Sequence, residues 1–96
     1  MIAINMSTAE TIAEPELILY GRRDCHLCDL AEQLLQQTRL QQDYRKIDID
    51  ADLHLLRRYG SVIPVLCART TAAQLRWPFD AASLQQWLIE QQLRSA

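Results

Sequence analysis

Cys25-His26-Leu27-Cys28 holds more potential chemistry than any other segment of this chain. Two thiols three residues apart can close a small disulfide with little backbone movement. The same spacing also supplies half of a zinc or iron–sulfur site, which needs four ligands. An unperturbed thiol is only about 3% thiolate at pH 7, so thiol chemistry needs surroundings that stabilise the anion. Arg22 and Arg23 lie just upstream and act in that direction, while Asp24 acts against it. His26 adds a positive charge beside Cys25 whenever its ring is protonated. For a metal site, the remaining thiol and imidazole ligands are Cys67, His26 and His54. A second Cys-x-x-Cys is lacking, so four ligands from one chain are hard to assemble.

The elements around the pair favour the thiol reading. Leu17-Ile18-Leu19-Tyr20 is a short apolar run ended by Gly21 and reads as a buried strand. Leu27, Leu30, Ala31, Leu34 and Leu35 then recur at helical spacing, predicting a helix from Cys25 or His26 to Leu40. Gln36-Gln37 and Gln41-Gln42 fall at solvated positions at and beyond its end. The cysteines therefore sit in the first turn, where free N–H groups and the positive end of the dipole favour a thiolate.

Tyr44 to Asp48 alternates and predicts a second strand. Asp50 is read as the N-cap of a short helix, with Asp52 in its first turn, Leu53, Leu56 and Tyr59 inward, and Gly60 as its C′ residue. Val62 to Cys67 is a third apolar run, Thr70-Thr71 a turn, and Ala72 to Trp77 an antiparallel return. Asp80 caps a last helix with Leu84, Trp87, Leu88 and Leu93 inward and Gln85, Gln86, Gln91 and Gln92 in water. The expectation is an α/β domain: a four-stranded mixed sheet flanked by three helices on both faces. Its first three strands run parallel through their connecting helices, and the hairpin adds an antiparallel edge.

At 96 residues the chain has room for one modest core. A net charge of −2 with scattered positive residues argues against nucleic acid as a partner. No apolar stretch is long enough to span a membrane. Three cysteines leave one over after pairing, which fits a reducing compartment and hence the cytoplasm. Residues 1–15 are read as a tail ending at Pro15, with Met6 as an alternative start; residues 16–96 are the domain. Glu10, Glu14 and Glu16, without a basic region, make the N-terminus unlike a signal peptide.

The order of elements, the Cys-x-x-Cys opening the first helix and the proline opening the third strand together resemble the thioredoxin fold. In detail the chain is similar to the small glutaredoxin-like family. Four stretches carry the likeness: Leu19-Tyr20-Gly21-Arg22-Arg23-Asp24-Cys25-His26-Leu27-Cys28, Ile47-Asp48-Ile49-Asp50, Tyr59-Gly60-Ser61-Val62-Ile63-Pro64-Val65-Leu66 and Trp77-Pro78-Phe79-Asp80. It spans roughly residues 16–90. The resemblance implies that Cys25 is an exposed cysteine that attacks disulfides and Cys28 the resolving one. It implies a cis bond before Pro64, facing the pair, and that Ile63 offers its backbone to an extended substrate. Arg22 stands where a glutathione-binding lysine often sits.

Two features depart from the family pattern. The middle pair is His26-Leu27 where glutaredoxins usually carry Pro-Tyr, and Arg76-Trp77-Pro78-Phe79-Asp80 lacks the Gly-Gly that helps hold glutathione. Thiol–disulfide exchange is thus the better-supported inference, with glutathione one candidate reductant and no resident cofactor or metal. The expected partners are disulfide-bearing proteins or low-molecular-weight thiols, and the expected state is a monomer. A cluster shared between two copies through an exposed Cys25 and a non-catalytic interaction domain remain the alternatives. Cys67 is read as a buried strand residue, His54 and Arg57-Arg58 as solvated, and Trp77, Trp87 and Tyr20 as packing residues.

Overall fold

A computed structural model of the protein describes residues 15–38 and 43–95. Strand β1 (Leu17–Gly21) leads into helix α1 (His26–Gln37), strand β2 (Tyr44–Asp48), a 3-10 turn (Ile49–Ala51) and helix α2 (Leu53–Tyr59). Strands β3 (Val65–Ala68) and β4 (Gln74–Arg76) and helix α3 (Ala81–Ser95) follow. The expected order of elements holds. The predicted N-terminal tail up to Glu14, the stretch from Arg39 to Gln42 and the side chains of Gln92 and Leu93 lie outside the described residues.

The four strands form one mixed sheet in the order β2-β1-β3-β4. β1 and β2 are parallel, with Leu17 opposite Tyr44 and Gly21 opposite Asp48. β3 is antiparallel to β1, with Tyr20 opposite Val65 and Leu17 opposite Ala68, which corrects the expectation that the first three strands run parallel. The physical reason lies in the connection. β2 leaves the sheet beside Gly21, and α2, at seven residues, is only about 10 Å long. Neither it nor the flanking turns runs the length of the sheet, so β3 enters at the end where β2 left.

Period-2 alternation sorts the strand residues onto two faces. On one, Leu17, Leu19, Leu66 and Ala68 pack with Ala31 and Leu35 of α1 and with Phe79, Leu84, Trp87 and Leu88. On the other, Val65 packs with Ile49 and Tyr59, rimmed by Tyr20, Leu55, Leu56, Val62 and Ile63. Burying one such leucine contributes about 1.5–3 kcal/mol, so the larger cluster fixes α1 firmly against β1. The chain is tied in at its described start: Glu16 accepts hydrogen bonds from the Thr70 N–H and hydroxyl, each at 2.7 Å.

Several local expectations are corrected. Asp52, not Asp50, is the N-cap of α2; its Oδ1 accepts from the His54 N–H at 2.8 Å. Asp50 sits in the preceding 3-10 turn, which Asp48 caps by accepting from the Asp50 N–H. Gly60 is not a left-handed C′ residue, because its φ is −53°. It is a close-approach glycine, where a Cβ would come within 2.5 Å of the Leu56 carbonyl oxygen. Leu53 is 58% exposed, and Leu55 takes its place beside Leu56 and Tyr59. Leu27 is 44% exposed because the buried stripe of α1 is Cys28, Ala31 and Leu35. Gln91 is buried rather than wet, and its Oε1 accepts from the Thr71 hydroxyl at 2.7 Å. Asp80 does cap α3, reciprocally: its carboxylate accepts from the Ser83 N–H while its own N–H donates to the Ser83 hydroxyl.

Candidate redox-active site

β1 ends at Gly21 and the chain turns through Arg22, Arg23 and Asp24 into α1. Asp24 adopts a left-handed backbone (φ 55°), a conformation that aspartate tolerates better than most residues. The turn leaves Cys25 extended at the N-cap, where its Sγ accepts from the Cys28 N–H at 3.2 Å. Cys25 and Cys28 are joined by a disulfide, with their Cα atoms 5.2 Å apart. The two sulfurs are unequally placed, since Cys25 is half-buried while Cys28 is only 8% exposed.

Gly21 makes room for this arrangement. A Cβ at that position would lie 3.0 Å from the Cys28 Sγ, so a side chain there would press on the sulfur. Sequence reading treated Gly21 only as a strand terminator; its role emerges when the strand end and the helix start are brought together.

The Ile63–Pro64 peptide is cis. Because Val65 pairs with Tyr20, this segment enters β3 at the end of β1 from which the Cys25 loop departs. Pro64 is fully buried and its carbonyl accepts from the Trp77 N–H; Ile63 is half-buried against the α2 cluster. A second cis bond, Trp77–Pro78, was not anticipated from the sequence.

Arg22 reaches across the loop to Asp50, 28 residues away. Its Nε donates to Oδ2 at 3.2 Å and its Nη2 forms an ion pair with Oδ1. The hydrogen bond from Arg22 holds the Asp50 carboxyl below the usual carboxylate range, and the same bond raises Arg22. Arg23, Asp24 and His26 are exposed around the loop. Sequence reasoning missed Asp50 as a partner of the site because nothing local links it to Arg22.

A cavity of about 210 Å³ opens between the start of α1 and the β1–β2 edge, with Cys28, Gly21 and Arg22 in its wall. Deeper along α1, Glu32 accepts from the Tyr44 hydroxyl at 2.7 Å and pairs with the Lys46 Nζ at 3.1 Å. Cys67 is not brought to the pair. It lies opposite Ile18 in β3, half-buried, and burial pushes its thiol upward from the ordinary range. His54 is exposed, and the Arg58 guanidinium lies 5.4 Å from the centre of the Tyr59 ring. Tyr20 stacks on Tyr59 at 4.5 Å, and Trp87 is in the core, so both are packing residues. Trp77 is half-buried, edge-on to Phe79. Among the described residues no three His, Cys, Asp or Glu side chains cluster to hold a metal ion, and no helix is long and apolar enough to cross a membrane.

Comparison with solved structures returns chains of the same architecture. A structural-genomics target protein from X. campestris, XcR50, is 43% identical in its X-ray structure, covers 77% of this chain and 96% of its own, and superposes with a TM-score of 0.72. Protein Ne2328 from Nitrosomonas europaea is 28% identical over 79% of this chain and 93% of its own, with a TM-score of 0.58. The thioredoxin-like protein BC3987, as its T8A mutant, is 19% identical over 75% of this chain and 97% of its own, with a TM-score of 0.56, and shows the fold alone. No curated protein matches the chain. The glutaredoxin-like domain (DUF836) matches residues 16–89, which contain the disulfide, the Ile63–Pro64 segment and all four strands. The chain therefore belongs to the glutaredoxin-like domain family, on a thioredoxin-like fold with a cysteine pair at disulfide distance that supports a redox-type function.

Proposed function

We propose that the protein carries out thiol–disulfide exchange through Cys25 and Cys28. The observation that carries this reading is the disulfide itself, spanning the N-cap and the first turn of α1 with the Cys28 N–H on the Cys25 sulfur. That amide and the helix N-terminus would stabilise a Cys25 thiolate once the pair is reduced. The unequal burial supports the order of attack, because a bulky disulfide can meet Cys25 but not Cys28.

In the reaction, the Cys25 thiolate attacks one sulfur of a substrate disulfide. A bond forms between them as the substrate S–S bond breaks, and the departing thiolate takes up a proton. The Cys28 thiolate then attacks the Cys25 sulfur, closing the intramolecular disulfide and releasing the second substrate thiol. Two electrons pass from the protein dithiol to the substrate. A dithiol, or a low-molecular-weight thiol such as glutathione, returns them in a cytoplasmic setting. The reading needs no resident cofactor and one copy of the chain. In it, Ile63 and Pro64 border an extended substrate segment beside Cys25, Arg22 is within the substrate's reach, and Asp24 and His26 tune the charge around the loop.

A redox titration tests this, with Cys25 and Cys28 read by alkylation and peptide mass. A reversible intramolecular couple is expected between about −270 and −120 mV, the range of known Cys-x-x-Cys proteins. Cys28→Ser is expected to trap a mixed disulfide on Cys25. A pair that never reopens under a strong dithiol, or equal labelling of both thiols, would overturn the reading.

A further inference from the structure

The charge around the pair is arranged in an unexpected way. Arg22 lines the cavity beside Cys28, yet one edge of its guanidinium, Nε with Nη2, is turned to Asp50. Lys46, also in the cavity wall, is likewise held by Glu32 at 3.1 Å. With Arg23 there are three cations in the wall, set against Asp29, Glu32 and Asp48. Asp50, paired with Arg22, makes a fourth carboxylate against the three cations of the cavity wall. The Arg22–Asp50 pair is exposed on both sides, at 37% and 47% of its side-chain surface, so an incoming anion meets it directly.

We propose that Asp50 is a specificity-determining residue that acts through Arg22. By pairing with one edge of the guanidinium and offsetting its charge, it selects neutral and basic disulfides over anionic low-molecular-weight ones. The inference rests on Cys25–Cys28 being the reactive pair. An anionic substrate meets a guanidinium whose Nε–Nη2 edge already holds a carboxylate and whose charge that carboxylate offsets. It would also approach a surface whose remaining charge is negative. An exposed ion pair of this kind adds little to stability, so its consequence is electrostatic. Asp50 touches neither the sulfurs nor, in this proposal, the substrate; it is a positioning residue for Arg22.

The test uses the full chain and three disulfides of different charge: glutathione disulfide (anionic), hydroxyethyl disulfide (neutral) and cystamine (dicationic). The readout is the ratio of kcat/KM between them at low salt, for wild type and D50N. Asparagine keeps the size and an acceptor oxygen, and Asp50 contributes only its backbone N–H to the bond with the Asp48 carboxylate that shapes the turn. Wild type is expected to favour cystamine over glutathione disulfide. D50N is expected to move that ratio toward glutathione disulfide by about fivefold, the effect of one unit charge at a few ångströms in water. Half-molar salt is expected to remove most of the difference between the variants.

A wild type that prefers the anionic disulfide, or a D50N ratio equal to that of wild type, would overturn the proposal. So would a D50N that changes all three rates alike, since that is the signature of a displaced loop. Wild type inert toward all three disulfides would instead sink the redox reading, and with it this inference.

Discussion

The face of the sheet under α1 and α3 and the face under α2 are built by different rules. Among the described residues, the first buries ten hydrophobic residues in one cluster, from Leu17 and Leu19 to Leu84, Trp87 and Leu88, with Gln91 the buried polar residue of α3. The second buries three, Ile49, Tyr59 and Val65, and keeps polar atoms among them. There the Tyr59 hydroxyl accepts from the Gln74 side-chain amide at 2.7 Å, and Tyr20 stacks on the Tyr59 ring. Burial, followed by the neighbouring Tyr59 and Cys67, keeps the Tyr20 hydroxyl protonated to higher pH than usual. Apolar packing is non-directional, so the first face fixes where α1 lies and so where Cys28 points. Hydrogen bonds are directional, so on the second face the Gln74–Tyr59 bond fixes β4 against the end of α2, beside the cluster on which Ile63 packs.

If the stabilising weight rests on the first face, truncations should separate the two. Leu84→Ala is expected to fall in the upper part of the range of about 2–5 kcal/mol seen for buried aliphatic truncations. Ile49→Ala is expected nearer its lower end, because a three-residue cluster beside a single seven-residue helix can relax around the gap. Urea unfolding of both variants checks this. An equal or larger loss at Ile49 would break the contrast and make α2 a full partner in stability.

The second-largest effect is local to the site. Gly21→Ala is expected to cost about 1–3 kcal/mol, as overpacked positions do, because the new methyl meets the Cys28 sulfur. Thermal unfolding and the Cys25–Cys28 potential should move together in this variant. A loss of stability with the potential unchanged would mean that β1 yields while the sulfur stays in place.

On the α2 face, Tyr59→Phe keeps the ring and removes the hydroxyl that accepts from Gln74. A loss near 1 kcal/mol is expected, the net worth of an ordinary hydrogen bond. No loss at all would show that the polar atoms of this face do not constrain it, and the contrast with the apolar face would narrow to size alone.

How much of this was legible beforehand follows the range of the interactions. Period-2 and 3.6 patterns are local, so β1, β2, α1 and the inward Leu84, Trp87 and Leu88 could be read directly. The Cys25–Cys28 pair and the Asp80 cap were legible for the same reason. The direction of β3 was not, because strand pairing depends on where a connection returns in space, and Val65 finds Tyr20 45 positions back. Gln91 was read as wet because glutamine usually is, and its partner Thr71 lies 20 residues away. Arg22 and Asp50 were both noticed, one as a charge beside the thiols and the other as a helix cap. Their pairing over 28 residues needed the fold.

The smallest expected effect concerns the edge of the apolar face, where Tyr44 closes over α1. The Tyr44 hydroxyl bond lowers the Glu32 carboxyl below its ordinary value, with a smaller contribution from Lys46. A group whose folded pKa is depressed contributes stability above its unfolded pKa, about 4.3 for glutamate, and loses it as pH falls through the folded value. The stability gap between wild type and Tyr44→Phe should therefore be steady near neutrality and shrink as pH falls below about 5. Urea midpoints at a series of pH values would measure it, with the contribution kept small by solvent around the pair. A gap that stays constant to acid pH would mean that Tyr44 acts by packing alone. The edge beside the redox pair would then follow the same non-directional rule as the core beneath it.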